Sequence, residues 1–180
     1  MPASGLGLAV AKDLLLKGWN VCLCDLNPPN AEVQLGDKAI FQAVDVTDYD
    51  ALSAVFDVVW SKWKQLDFGK PVHFSVAGWQ VAENQWLLHG VVFANAGIAD
   101  TLPFATLAAL PKDGTPPPKP NLRTVDIDLI GVIYTIYLAT HYLRQNPTPG
   151  GKIVATASAA ALYSLSYVAT YCASKAGVSE

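Results

Sequence analysis

Ser4-Gly5-Leu6-Gly7-Leu8-Ala9, followed by Trp19-Asn20-Val21-Cys22-Leu23-Cys24 and closed by Asp25, is the stretch that decides the fold. After the two glycines, Leu6, Val10 and Leu14 recur at helical spacing until Lys17-Gly18 stops the run, and the next apolar run reads as a buried strand ended by an acid. Glycine at a helix start lets a pyrophosphate approach backbone N–H groups and the positive end of the helix dipole. An acid about twenty residues on, at the end of the following strand, can accept both ribose hydroxyls. Each feature has a plainer reading alone, because paired glycines serve packing and an aspartate starts turns. In register together they point to Ser4, Gly5, Leu6, Gly7 and Asp25 as a dinucleotide site. A carboxylate at Asp25 repels a ribose phosphate, which selects NAD over NADP.

Outward from this stretch, strands and helices alternate. Residues 39–44 read as a strand ending at Asp45-Val46-Thr47, residues 49–66 as a helix and residues 91–94 as a short strand. Val125, Leu129, Val132, Ile136, Ala139 and Leu143 mark one face of a long helix that runs to Asn146 and ends at Pro147 and Pro149. Residues 153–157 form a last strand and residues 167–180 a helix. The order implies an α/β fold, a doubly wound parallel sheet of Rossmann-like type, as one domain over residues 1–180. Residues 69–90 lack a period, mix Trp79, Trp86, His73 and His89, and read as an insertion; prolines stiffen a loop over residues 111–118. Only Met1-Pro2-Ala3-Ser4 precede Gly5, too few residues to cross a sheet. The expectation is therefore a sheet lacking its central first strand, with that strand's neighbours unpaired, and lacking a C-terminal part beyond Glu180.

With 52% hydrophobic residues and a mean hydropathy of +0.28, the 180-residue chain can bury a core, which excludes disorder. A net charge of −3 with the twelve lysines and arginines scattered leaves no stripe for nucleic acid. Cys22, Cys24 and Cys172 are an odd count, and the histidines do not cluster, so neither a disulfide framework nor a zinc site is expected. No cationic stretch precedes the first apolar residues, and Lys12-Asp13 interrupt them, which argues for a cytoplasmic protein without a signal peptide. Residues 153–174 carry no charge, yet serines, threonines and tyrosines thread through them, as suits a strand, loop and helix start better than a membrane span.

Tyr171-Cys172-Ala173-Ser174-Lys175 puts a phenol and an ammonium one helical turn apart. Alone, Tyr171 is an ordinary helix tyrosine and Ser158 a loop hydroxyl that caps a turn. However, Ser158, Asn95-Ala96-Gly97 and Asp45-Val46 each fall at the carboxyl end of a strand, where open α/β sheets bind ligands.

In this order of motifs the chain resembles the short-chain dehydrogenase/reductase family over nearly its whole length, and within it the hydroxyprostaglandin-dehydrogenase-like, NAD-dependent alcohol dehydrogenases. The resemblance implies that Gly5 and Gly7 match the later glycines of a phosphate loop, Asp25 the ribose acid, Asp45 and Val46 the adenine edge, and Asn95, Ala96 and Gly97 the turn beside the cofactor. It implies too that Ser158, Tyr171 and Lys175 match the catalytic serine, tyrosine and lysine, the last two also meeting the cofactor. The family's helix asparagine falls at Asp128, where a carboxylate near Lys175 alters the electrostatics of the tyrosine. The first glycine of the phosphate loop is absent near Met1-Pro2.

The function so implied is oxidation of a secondary alcohol, or reduction of its ketone. Tyr171 is the acid and base, Lys175 and the nicotinamide charge favour its phenolate, and Ser158 bonds to the substrate oxygen. Ala159-Ala160-Ala161-Leu162-Tyr163 suggests an apolar wall for a small alcohol or ketone. The resemblance implies that the two long C-terminal helices could pair subunits into a homodimer or homotetramer, although their apolar faces serve a monomer's core equally well, and no membrane or nucleic acid partner is expected. Two other readings stand beside it. One is an inactive remnant or nucleotide-binding module, motivated by the missing strand and Asp128; the other is a Rossmann-like methyltransferase, for which the Tyr171/Lys175 pair has no task.

Overall fold

The structure, a computed structural model, describes residues 5–30, 36–63, 72–75, 90–100, 111, 113–146 and 150–180, with residues 72–75 described as backbone alone. Ser4, Lys112, Pro147, Pro149 and most of the 69–90 segment, Trp79, Trp86 and His89 included, lie outside the described residues.

Helix α1 (Gly5–Leu16) begins at Gly5 with φ +70° and is followed by Gly18 with φ +86°, where the N–H groups of Gly18 and Trp19 bond the carbonyls of Leu15 and Leu14. Only glycine takes that left-handed turn cheaply, so Gly18 redirects the chain into strand β1 (Asn20–Asp25). Alternation along β1 then builds two cores. Val21 and Leu23 pack with Ala11 and Leu14 of α1. Cys22 and Cys24 face the other way, among Leu52, Val55, Phe56 and Val59 of helix α2 (Tyr49–Trp63) and Leu138, Ala139 and Tyr142 of helix α4 (Gly131–Leu143). A strand buried on both faces belongs to a parallel sheet with helices on each side. The two cysteines do share a face, with sulfurs 3.8 Å apart, and their hydrogen bond together with burial holds the Cys24 thiol well above its ordinary value. It is a packing thiol.

The stripe expected on α1 is displaced. Leu14 is buried as expected, but Leu6 is 59% exposed, and the rest of the buried face is Gly7 and Ala11, small residues that bring the helix close to the sheet.

Strands β2 (Ala39–Ala43), β3 (Val72–Ser75), β4 (Val91–Ala94) and β5 (Lys152–Ala155) complete a five-stranded sheet in the order β2-β1-β3-β4-β5, every pair parallel. The expected gap at the centre is corrected here. β3, from the segment without a period, pairs Asn20–Leu23 of β1 on one side and Val91–Phe93 of β4 on the other, so neither neighbour is left unpaired. Helix α1 packs against it as well as against β1.

After β4 comes a helical rod of three parts: α3 (Arg123–Val125), a π turn (Asp126–Ile130) and α4. After β5 a 3₁₀ turn (Ala159–Ala161) leads to helix α5 (Ala169–Ser179). The rod's inner face keeps Val132, Ala139 and Leu143 of the expected stripe buried but leaves Ile136 37% exposed, and it adds Thr124, Asp128, Gly131 and Thr135 as buried residues. Among the described residues no helix is long and apolar enough to cross a membrane, and residues 153–174 divide among β5, the 3₁₀ turn and α5.

Candidate functional site

The carboxyl ends of β4 and β5 converge on a buried ion pair. Lys175 Nζ of α5 lies 3.1 Å from Asp128 Oδ2 of the π turn, with side chains only 3% and 0% exposed. Lys175 Nζ also donates to the Thr156 carbonyl just beyond β5, at 3.1 Å. Asp128 Oδ1 accepts the Ile98 N–H at 2.8 Å. Burial raises the Asp128 carboxyl above its ordinary value, a pull that the Ile98 bond and the Lys175 charge only partly oppose.

Gly97 makes the arrangement feasible. A Cβ there would stand 3.1 Å from Asp128 Oδ2 and 3.3 Å from Lys175 Nζ, so a larger residue would press into the pair. The π turn contributes as well. Its wider loop, closed by the Gly131 N–H on the Asp126 carbonyl, sets Asp128 inward in a helix that otherwise continues.

Tyr171 stands one turn before Lys175, whose ammonium lies 5.7 Å from the centre of the tyrosine ring. The Asp100 carboxylate accepts the Tyr171 N–H at 3.4 Å and the Thr170 hydroxyl in a shorter bond. Ser158 caps the 3₁₀ turn, its Oγ accepting the Ala160 N–H at 3.2 Å, and that turn packs on α5. The plain reading of Ser158 as a cap is thus present. No hydrogen bond joins it to Tyr171 among the described residues.

Asn95 Oδ1 accepts the Thr156 hydroxyl at 2.7 Å, and the Thr156 N–H bonds the Ala94 carbonyl at 2.9 Å, which ties the ends of β4 and β5 together. Beside them lies a shallow surface crevice lined by Val46, Ala94, Asn95, Ala96, Gly131, Val132 and Thr135. Gly131 lets α4 approach the loop after β2, because a Cβ there would fall 2.7 Å from Val46 Cγ2.

On the nucleotide side, Asp25 Oδ1 accepts the Asn27 N–H at 3.2 Å, the turn-starting role weighed from sequence, while Oδ2 makes no hydrogen bond among the described residues. Asp45 Oδ1 accepts the backbone N–H and hydroxyl of Thr47, at 3.0 and 2.8 Å, and Oδ2 lies 3.5 Å from Arg123 Nη2. Burial pulls the Asp45 carboxyl upward, but the Thr47 bonds and the Arg123 charge carry it below its ordinary value.

These positions fit a dinucleotide. Among the described residues a Cβ on Gly5 would meet nothing within 4 Å, and Asp25, Asp45, Val46 and Asn95–Gly97 share the side of the sheet on which α1 begins, at the carboxyl ends of β1, β2 and β4. Sequence reasoning missed Gly131, Thr135, the Thr156 carbonyl, Asp100 and Arg123. A glycine inside a helical pattern was the signal available for Gly131; for a backbone carbonyl or a cap reached across seventy residues there is none.

The family described as short chain dehydrogenase matches residues 2–68 and 79–180, and β3 falls in the ten residues between. Over 98% of its length the chain is 34% identical to a short-chain dehydrogenase/reductase of Penicillium rubens. It is 30% identical to a 5'-hydroxyaverantin dehydrogenase of Emericella nidulans and to the 3-hydroxyacyl-CoA dehydrogenase type-2 of Homo sapiens, again over 98% of the chain. The chain spans 53%, 56% and 60% of these three curated relatives. A 3-oxoacyl-[acyl-carrier protein] reductase from Brucella melitensis, solved in complex with NAD, superposes with a TM-score of 0.70 at 19% identity, over 97% of this chain and 60% of that one.

Proposed function

Because the chain belongs to the short-chain dehydrogenase/reductase family, we propose that it moves a hydride between a secondary alcohol, or its ketone, and NAD, with Tyr171 as acid and base. The observation that carries this reading is the Tyr171–Lys175 pair, its ammonium fixed by Asp128 and the Thr156 carbonyl next to the Asn95–Gly97 turn.

A bound nicotinamide supplies the hydride acceptor for alcohol oxidation. Tyr171 Oη takes the hydroxyl proton, and Lys175 places a positive charge beside its ring as negative charge develops. An ammonium has three donors; one goes to the Thr156 carbonyl while Asp128 stands by as an ion pair, which leaves donor capacity for a ribose hydroxyl. Ser158 uses a lone pair in capping, which leaves its hydroxyl hydrogen to donate to the substrate oxygen. Asp25 disfavours a ribose phosphate and so supports NAD over NADP.

Leu162 and Tyr163, 80% and 72% exposed beyond the Ser158 turn, support an apolar alcohol or ketone. Ile133 and Tyr137 give α4 an outward apolar face for a second subunit. Two relatives carry dehydrogenase names that specify a hydroxylated substrate, which supports the alcohol end of the reaction.

The test is Tyr171→Phe. NADH formation, followed by its absorbance with a panel of secondary alcohols, should vanish while NAD binding by titration survives. Undiminished turnover in the variant refutes the assignment. A native chain that binds NAD and oxidises nothing in the panel supports the nucleotide-binding module instead.

A further inference from the structure

Helix α5 starts without a cap of its own. Val168, which precedes its first turn, makes no side-chain bond to the helix, although first-turn N–H groups need acceptors from elsewhere. Asp100 supplies them from the segment that leaves β4. One carboxylate oxygen accepts the Thr170 hydroxyl, the other the Tyr171 N–H at 3.4 Å. Negative charge at the positive end of a helix is favourable as well.

The same segment grips α5 a second time. Ile98 donates to Asp128, Asp128 pairs with Lys175, and Gly97 clears the space for both. One clasp therefore holds α5 at Thr170 and Tyr171 and the other at Lys175, with the Asn95–Gly97 turn fixed between the ends of β4 and β5. We propose that Asp100 is a positioning residue: through the Thr170 hydroxyl and the Tyr171 amide it sets where the Tyr171 phenol stands relative to the Asn95–Gly97 turn. This rests on the dehydrogenase reading, in which that turn lies beside the nicotinamide. Asp100 touches neither substrate nor cofactor; it acts through Tyr171.

The experiment compares Asp100→Ala, Asp100→Asn, Thr170→Val and Tyr171→Phe in the full chain. Misplacing a reacting group by about 1 Å costs on the order of 100-fold in rate, so kcat of Asp100→Ala should fall by roughly that factor. Its NAD dissociation constant, read by fluorescence titration, should stay about unchanged, because Asp100 leaves the nucleotide side intact. Asp100→Asn keeps an oxygen for the Thr170 hydroxyl and should recover most of the rate. Thr170→Val removes one arm of the clasp and should lie between; it carries the same comparison if Asp100→Ala fails to fold. Amide exchange at Tyr171 should quicken in Asp100→Ala.

Native kcat in Asp100→Ala, with Tyr171→Phe inactive, overturns the positioning role and leaves the dehydrogenase reading standing. An active Tyr171→Phe instead brings down the dehydrogenase reading itself. Equal losses of kcat and NAD affinity, or an asparagine variant no better than alanine, reduce Asp100 to a fold-stabilising cap and likewise overturn the proposal.

Discussion

Replacing Lys175 by methionine should destabilise the protein far more than removing a surface charge does. The ammonium and the Asp128 carboxylate lie 3.1 Å apart with side chains 3% and 0% exposed. Deleting one member of such a pair strands the other without solvent and costs about 3–5 kcal/mol. In a domain of this size that corresponds to a fall in Tm of roughly 6–20 °C. The loss should depend on pH in a defined direction. Without Lys175, Asp128 keeps only the Ile98 N–H against burial, so its carboxyl is raised in the folded chain relative to the unfolded one. A raised folded value means that stability is fully present below the ordinary carboxylate value of 3.8 and is lost as pH rises through the folded value. Urea melts followed by circular dichroism should therefore show Lys175→Met closer to the native protein near pH 5 than near pH ~7.5. Adding Asp128→Leu removes the stranded charge and should recover most of the loss, a coupling of at least about 2 kcal/mol in the double-mutant cycle. A single variant that loses under ~1 kcal/mol at both pH values, as exposed pairs do, would sink the claim that the pair is sealed from water.

Two further outcomes follow from close contacts and charge. Gly131→Ala puts a methyl 2.7 Å from Val46 Cγ2 and should cost about 1–3 kcal/mol of stability by denaturant melt, with Val46→Ala in the same chain restoring much of it; additive losses would show that the contact is slack. Asp25→Ala removes the carboxylate at the end of β1 and should narrow the preference for NAD over NADP on the order of tenfold in kcat/KM ratio, whereas an unchanged ratio would place the ribose elsewhere.

Much of the fold was legible because its strands are short apolar runs bounded by turn chemistry. Asn20–Asp25, Ala39–Ala43, Val91–Ala94 and Lys152–Ala155 each fall within a residue or two of the reading from sequence. The inner face of the long rod was legible in part. Hydropathy marks Val132, Ala139 and Leu143, which are buried as expected, but it also marks Ile136, which is exposed, and it passes over Thr124, Asp128, Gly131 and Thr135, buried for close approach and polar contact. A hydrophobic stripe does not reveal the part of a face that carries a carboxylate. Tyr171 and Lys175 were legible as a pair one helical turn apart, and Asp128 only through the family resemblance; the structure puts Lys175 beside both. Their supports were not: Asp100 and the Thr156 carbonyl reach α5 across long stretches of chain, and no local pattern encodes such a meeting.

The central position of the sheet shows how strongly backbone hydrogen bonding constrains the whole. β1 and β4 would each present a bare edge along the middle of the molecule if nothing lay between them, and unpaired N–H and C=O groups cost too much to bury there. Val72–Ser75 takes that place with parallel registry on both sides; Val72-His73-Phe74-Ser75 does alternate apolar and polar residues, a signal too short to stand out within a segment read as having no period. A centre strand needs only donors and acceptors at the right spacing, which any extended backbone free of proline supplies. The consequence for function is geometric. β1 carries Asp25, and β4 leads to Asn95 and Gly97, so the proposed nucleotide side and the proposed proton-transfer side are held at a fixed separation by one four-residue strand. Two contacts span the same gap above the sheet: Gly131 packed against Val46, and Arg123 beside Asp45. The site therefore depends on β3 although β3 contributes none of its proposed reacting groups.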